Sequence, residues 1–94
     1  MNKKDNTKLI NQCKELISFG HKLINEADSK INLTDFYKWQ TLCQNLFISS
    51  VGARSLFFLR FSQIVIFENS NHIKSGIGIL EAFKRSLEIQ ETNT

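Results

Sequence analysis

The stretch "SLFFLRFSQIVIF", Ser55 to Phe67, decides the fold class. Nine of its last twelve positions are apolar, and Arg60 interrupts them. As a strand it would place Phe57, Leu59, Phe61, Val65 and Phe67 on one face. No other part of the sequence offers a strand partner, and a lone strand leaves its backbone groups unpaired. A helix over about 54–67, capped by Ser55, satisfies them internally.

The flanking sequence is helical on the same grounds. Ile10, Cys13, Ile17, Gly20, Ile24 and Ala27 recur at intervals of three and four, with Leu9, Leu16 and Leu23 alongside. This apolar stripe predicts a first helix over about 7–28, with Asn6 or Thr7 as cap and a bulky neighbour over Gly20. Phe36, Trp39, Cys43, Leu46 and Ser50 define a second helix, about 34–50. Asn32 or Thr34 would cap it and Gly52 would stop it. "ENSNH", Glu68 to His72, is a polar loop of turn-forming residues. Ile73, Ile77, Leu80, Phe83 and Leu87 mark a fourth helix, about 73–89. Its outer face carries the pairs Glu81–Arg85 and Lys84–Glu88. Four helices with short connections predict one all-α domain, a compact antiparallel four-helix bundle. Its expected core is Ile10, Cys13, Ile17, Ile24, Phe36, Trp39, Cys43, Leu46, Phe57, Phe61, Ile64, Ile77, Leu80 and Phe83.

Composition agrees. The 94 residues suit a single domain. Proline is absent and glycine numbers four, which removes the turn punctuation that β-rich chains need. The net charge is +3, with lysines and acids interspersed. Nucleic-acid domains concentrate cations on one face, and here the only dense basic spot is Lys3-Lys4-Lys8. The longest apolar run falls short of the ~18–20 residues that span a bilayer. Lys3 and Lys4 are not followed by the apolar stretch of a signal peptide, so reduced cysteines and a cytoplasmic setting are expected.

Candidate chemistry is sparse. Cys13 and Cys43 lie on apolar stripes, where burial makes a thiol inert. His21 and His72 share no ligand spacing with each other or with cysteine, so neither metal nor cofactor is expected. "GIG", Gly76 to Gly78, lacks the strand and the further residues of a phosphate-binding loop. It is better explained by a helix packing closely against an aromatic such as Trp39. No acid–base or nucleophile–base pair is visible, so no enzymatic activity is expected.

The opening segment carries more information. On a wheel at ~100° per residue, Phe57, Phe58, Phe61, Ile64 and Val65 share one arc. Leu59 and Ile66 lie on the far side, and Leu56 and Phe67 flank Arg60 and Gln63. A small monomer cannot bury both sides of one helix. A membrane-surface helix would want a more basic polar face. The excess apolar surface predicts protein–protein association, a homo-oligomer being the simplest form. Leu56, Leu59, Arg60, Ile66 and Phe67 would form the interface; Arg60 is either its anchor or an arginine snorkelling along the outer side of the helix.

Two alternatives stand beside this one. In the first, an oligomeric helical protein captures a nucleotide second messenger: Lys38, Arg54 and Arg60 hold phosphates and Tyr37 stacks on a base. In the second, the chain is a small nucleic-acid-binding regulator.

"DFYKWQTLCQNLF", "GARSLFFLRF" and "IKSGIGILEAFKRSLE" together resemble a small helical region of bacterial phage-defence, abortive-infection-like proteins. There it often precedes effector or nucleotide-handling modules. The shared pattern is Phe36 with Trp39, then Gly52, Ser55 and Phe61, then Gly78, Ile79, Leu80 and Phe83, over about 34–88. The resemblance implies an all-helical assembly or adaptor domain and transfers no catalytic residue. The chain departs from the pattern in having no effector module attached and in placing Arg54 where an acidic residue is more usual. A stand-alone subunit, an inhibitor and a fragment of a larger effector all fit the first departure.

Overall fold

The computed structural model of the chain describes residues 5–26 and 30–92. Among these residues there are four helices: α1 (Thr7–Asn25), α2 (Leu33–Val51), α3 (Leu56–Ile64) and α4 (Ser70–Thr92). No strand occurs among the described residues. Each helix lies beside two others, in the order α1, α2, α3, α4 and back to α1, and the α1–α4 contact is the most extensive.

Local signals account for most helix ends. Asn32 caps α2 by accepting from the Asp35 amide at 3.0 Å. Gly52 ends it with φ +91°, its N–H donating to the carbonyls of Phe47 and Ile48. Ser55 caps α3 through a 3.1 Å bond from the Phe58 amide. At α1 the expectation is modified. Asn6 holds the cap position, but its side chain makes no capping bond. Asp5 accepts from the Thr7 amide instead, at 3.0 Å. Buried Asn6 turns to α4: its Nδ2 donates to the Leu87 carbonyl at 3.3 Å and to Gln90 Oε1 at 3.2 Å, and its backbone N–H donates to Glu91 at 2.8 Å. The start of α1 is thereby tied to the end of α4, so the two helices run antiparallel.

Other boundaries differ from expectation. α1 ends at Asn25 rather than 28, and the expected end at Asp28-Ser29 lies outside the described residues, as does Ala27. α3 stops at Ile64, not at Phe67. The β-branched run Ile64-Val65-Ile66 is a poor helix former, and its backbone finds other partners. Gln40 of α2 donates to the Val65 carbonyl at 2.7 Å, and His72 accepts from the next two amides. α4 begins three residues early, at Ser70, because Asn69 accepts from the His72 amide at 2.8 Å and so caps it. The turn-formers of "ENSNH" therefore start a helix.

The core is aromatic. Trp39 and Phe61 lie 5.7 Å apart between ring centroids, Phe47 and Phe61 5.6 Å, Phe47 and Phe83 5.3 Å, and Phe57 and Phe83 5.0 Å. Such pairs add about 0.5–1.5 kcal/mol beyond area burial. Gly20 and Gly76 make room for Trp39. A β-carbon at Gly20 would stand 2.8 Å from Ile77 and 3.1 Å from Trp39, and one at Gly76 would stand 2.7 Å from Trp39. Gly78 has open space around it, so only the first glycine of "GIG" serves packing.

Core membership needs correction at several positions. Leu16 and Leu23 are buried where Ile17 and Ile24 were expected, and those two are only half-buried. The buried line of α1 is turned by one residue because Trp39 donates to the Leu16 carbonyl and Ile77 sits over Gly20. Phe57 is half-buried and Ile64 exposed, whereas Phe47, Val65, Ile73 and Leu87 join the core.

Candidate protein-interaction face

Ending α3 at Ile64 leaves a set of exposed apolar residues around the exposed Arg60 and Gln63. Leu56, Leu59 and Ile64 from α3, with Ile66 and Phe67 from the turn after it, expose between 38% and 64% of their area. Directly behind them Phe61 and Val65 are buried. The helix thus presents aromatic groups to the core and aliphatic groups outward.

Between α3 and α4 lies a groove of about 360 Å³, lined by Leu56, Phe57, Arg60, Ile64, Ile79 and Ala82. Arg60 is its single charge, exposed and without an ion pair among the described residues. A guanidinium beside an open apolar groove matches a partner that brings an aliphatic side chain and a carboxylate together. Ile64, Ile79 and Ala82 were not among the expected interface residues. A long wheel drawn through Phe67 rotates Ile64 into the core, and the α4 residues enter only once α4 is placed beside α3.

The structure does not gather the residues considered for nucleotide capture. Tyr37 and Lys38 are exposed in the second turn of α2, and Arg54 lies beyond its far end. At ~1.5 Å rise per residue the helix between them spans about 20 Å. Arg60 lies on α3.

A larger depression, about 980 Å³, lies where α1 meets the entry of α2. It is lined by Glu15, Lys22, Glu26, Lys30 and Asp35 among others. Its charges alternate in sign, and Lys22 pairs with Glu26 at 4.0 Å, so it favours no one ligand charge.

Both cysteines are free and buried. Burial pushes the Cys13 thiol up to about 11, against a smaller opposing pull from Lys84. Burial also raises Cys43, with Cys13 adding to the effect. Neutral thiols in apolar surroundings are poor nucleophiles. Among the described residues no group of three or more His, Cys, Asp or Glu could hold a metal ion. None of the described helices is long and apolar enough to cross a membrane.

Comparison with models of known protein families, with curated proteins and with solved structures found no match.

Proposed function

We propose that this chain is a non-enzymatic protein–protein association module. It is an antiparallel four-helix bundle that assembles through the outer face of α3 and the turn that follows. The observation that carries this reading is the concentration of exposed apolar residues Leu56, Leu59, Ile64, Ile66 and Phe67 in one short stretch of chain, with Leu56 and Ile64 lining the groove that holds Arg60. Scattered apolar residues are normal on a surface, whereas a contiguous patch with a charged rim marks a contact site. The simplest partner is a second copy of the chain, since a two-fold interface needs only one self-complementary patch.

The resemblance over residues 34–88 supplies the setting we propose. The module would act in the cytoplasm as an assembly or adaptor unit in bacterial phage defence, or as an inhibitor of such a system.

Sedimentation velocity across a concentration series tests the association. A species heavier than the 10.9 kDa monomer is expected, and Leu59→Glu should return it to monomer. A wild-type chain that stays monomeric at high micromolar concentration would rule out self-association and leave a different protein as the partner.

A further inference from the structure

We propose that His72 positions the Ile66–Phe67 tip of this face, and that protonation of its imidazole releases the tip. The biological meaning rests on the association reading above, while the clamp itself stands on geometry alone.

His72 Nδ1 accepts from two consecutive backbone amides, Ile66 at 3.2 Å and Phe67 at 3.0 Å. Its ring packs on Phe67 with centroids 5.7 Å apart. The base of α4 holds the imidazole in place: the His72 amide donates to Asn69 Oδ1 at 2.8 Å, and the Asn69 amide donates to the Phe67 carbonyl at 2.9 Å. The segment from Ile66 to His72 is therefore closed on itself. Ile66 and Phe67, 50% and 62% exposed, are held outward although little packing supports them.

Two successive N–H groups converging on one point form a concavity that demands an acceptor. A neutral imidazole with its proton on Nε2 offers that acceptor at Nδ1, whereas an imidazolium carries N–H on both nitrogens. Protonation therefore sets a third donor against two donors. It also places positive charge in the first turn of α4, where the helix dipole opposes it. Ile66 keeps a second bond, to the Ile64 carbonyl at 3.1 Å, but the Phe67 amide has no other acceptor among the described residues. Phe67 is the group that is freed.

The surrounding charges do not hold the ring. Glu68 and Lys74 are the nearest charged residues along the chain, and neither forms an ion pair with His72. α2 meets this turn through the neutral Gln40, while Asp35 and Lys38 at the same end of α2 are exposed. At the facing end of α1, Lys22 and Glu26 pair with each other. Protonation sets a donor where both amides need an acceptor, so acidification that charges the ring should loosen the tip and weaken association.

The test is a nitrogen-15 NMR titration of the full chain from neutral into acid pH, followed until the His72 ring has changed charge. Ring nitrogen shifts should report the Nε2–H tautomer for neutral His72. The amide signals of Ile66 and Phe67 should move with the same midpoint as the His72 ring, and Phe67 amide exchange should quicken below it. His21, exposed on α1, serves as the internal control. His72→Asn offers a carbonyl acceptor at similar reach and does not titrate, so both amides should keep their positions and lose the pH response. His72→Ala should shift them at every pH. Amides that ignore the His72 midpoint, or a neutral His72 protonated at Nδ1, would overturn the clamp. Sedimentation at the two ends of the titration then reads the consequence: wild type should associate several-fold more weakly in acid, and His72→Asn should not. A chain monomeric throughout would defeat self-association while the amide titration still decides the clamp.

Discussion

The indole N–H of Trp39 donates to the carbonyl of Leu16 at 2.8 Å, joining α2 to the middle of α1. The edge of the same ring reaches Gly20 on α1 and Gly76 on α4, so one side chain sets the spacing of three helices. A helix interior rarely leaves a carbonyl available to a side chain. Here the missing β-carbon of Gly20, one turn on from Leu16, lets the indole approach.

Filling that slot should be costly, and filling open space should not. Gly76→Ala would press a methyl group against Trp39, Val65 and Phe61, all buried. Overpacking of this kind costs about 1–3 kcal/mol. Gly78→Ala meets nothing in the same helix and should stabilise by up to about 1 kcal/mol, the propensity difference between the residues. Urea unfolding of the two variants should give midpoints on opposite sides of wild type.

The two faces of α3 should separate stability from assembly. Phe61 is fully buried, and Phe61→Ala should cost about 3–5 kcal/mol and lower the melting temperature sharply. Leu59 is 43% exposed, and Leu59→Glu should change stability by no more than about 0.5 kcal/mol. Only the second should abolish association while the circular dichroism spectrum stays helical.

Asn6 is a buried polar side chain bridging sequence-distant helix ends. Asn6→Ala strips the Leu87 carbonyl and Gln90 of their partner, a loss of about 1–3 kcal/mol. Hydrogen exchange should show it as faster exchange at the start of α1 and the end of α4 together, with the centre of α4 little changed.

The buried thiols make stability fall in alkali. Cys13 has a folded value of about 11 against 9.0 for a free thiol. The unfolded chain therefore loses this proton first, and folding is penalised as it does so. The stabilising contribution is complete below about pH 9 and is lost as pH rises toward and through 11. Cys43 acts in the same direction. Denaturant midpoints should decline across that window, and Cys13→Ala with Cys43→Ala should flatten the decline. At neutral pH neither thiol should react with an aromatic disulfide reagent until the chain unfolds.

Much of the face was legible before α3 was placed in three dimensions. The excess of apolar residues around Arg60 exceeded what a small core can take, which singles out Leu56, Leu59, Ile66 and Phe67. Ile64 was not legible, because a helix assumed to continue to Phe67 gives no sign that its last turn is missing. Nor was the role of His72, since an imidazole in a polar loop resembles any other surface histidine until its acceptor atom is seen facing two amides.

The sequence by itself determined that the chain is helical, that Ser55 starts a helix and that Asn32 or Thr34 starts another, where Gly52 ends one, and that α3 carries more apolar surface than it can bury. Each of these is settled within a turn or two of the residue concerned, by capping geometry, backbone freedom or periodicity. The tertiary structure decided that Leu16 and Leu23 face inward rather than Ile17 and Ile24, and that α3 stops at Ile64. Local pattern alone fixes neither choice. They are made by partners distant in the chain: Trp39 and Ile77 act on α1, and Gln40 reaches back from α2 to the end of α3.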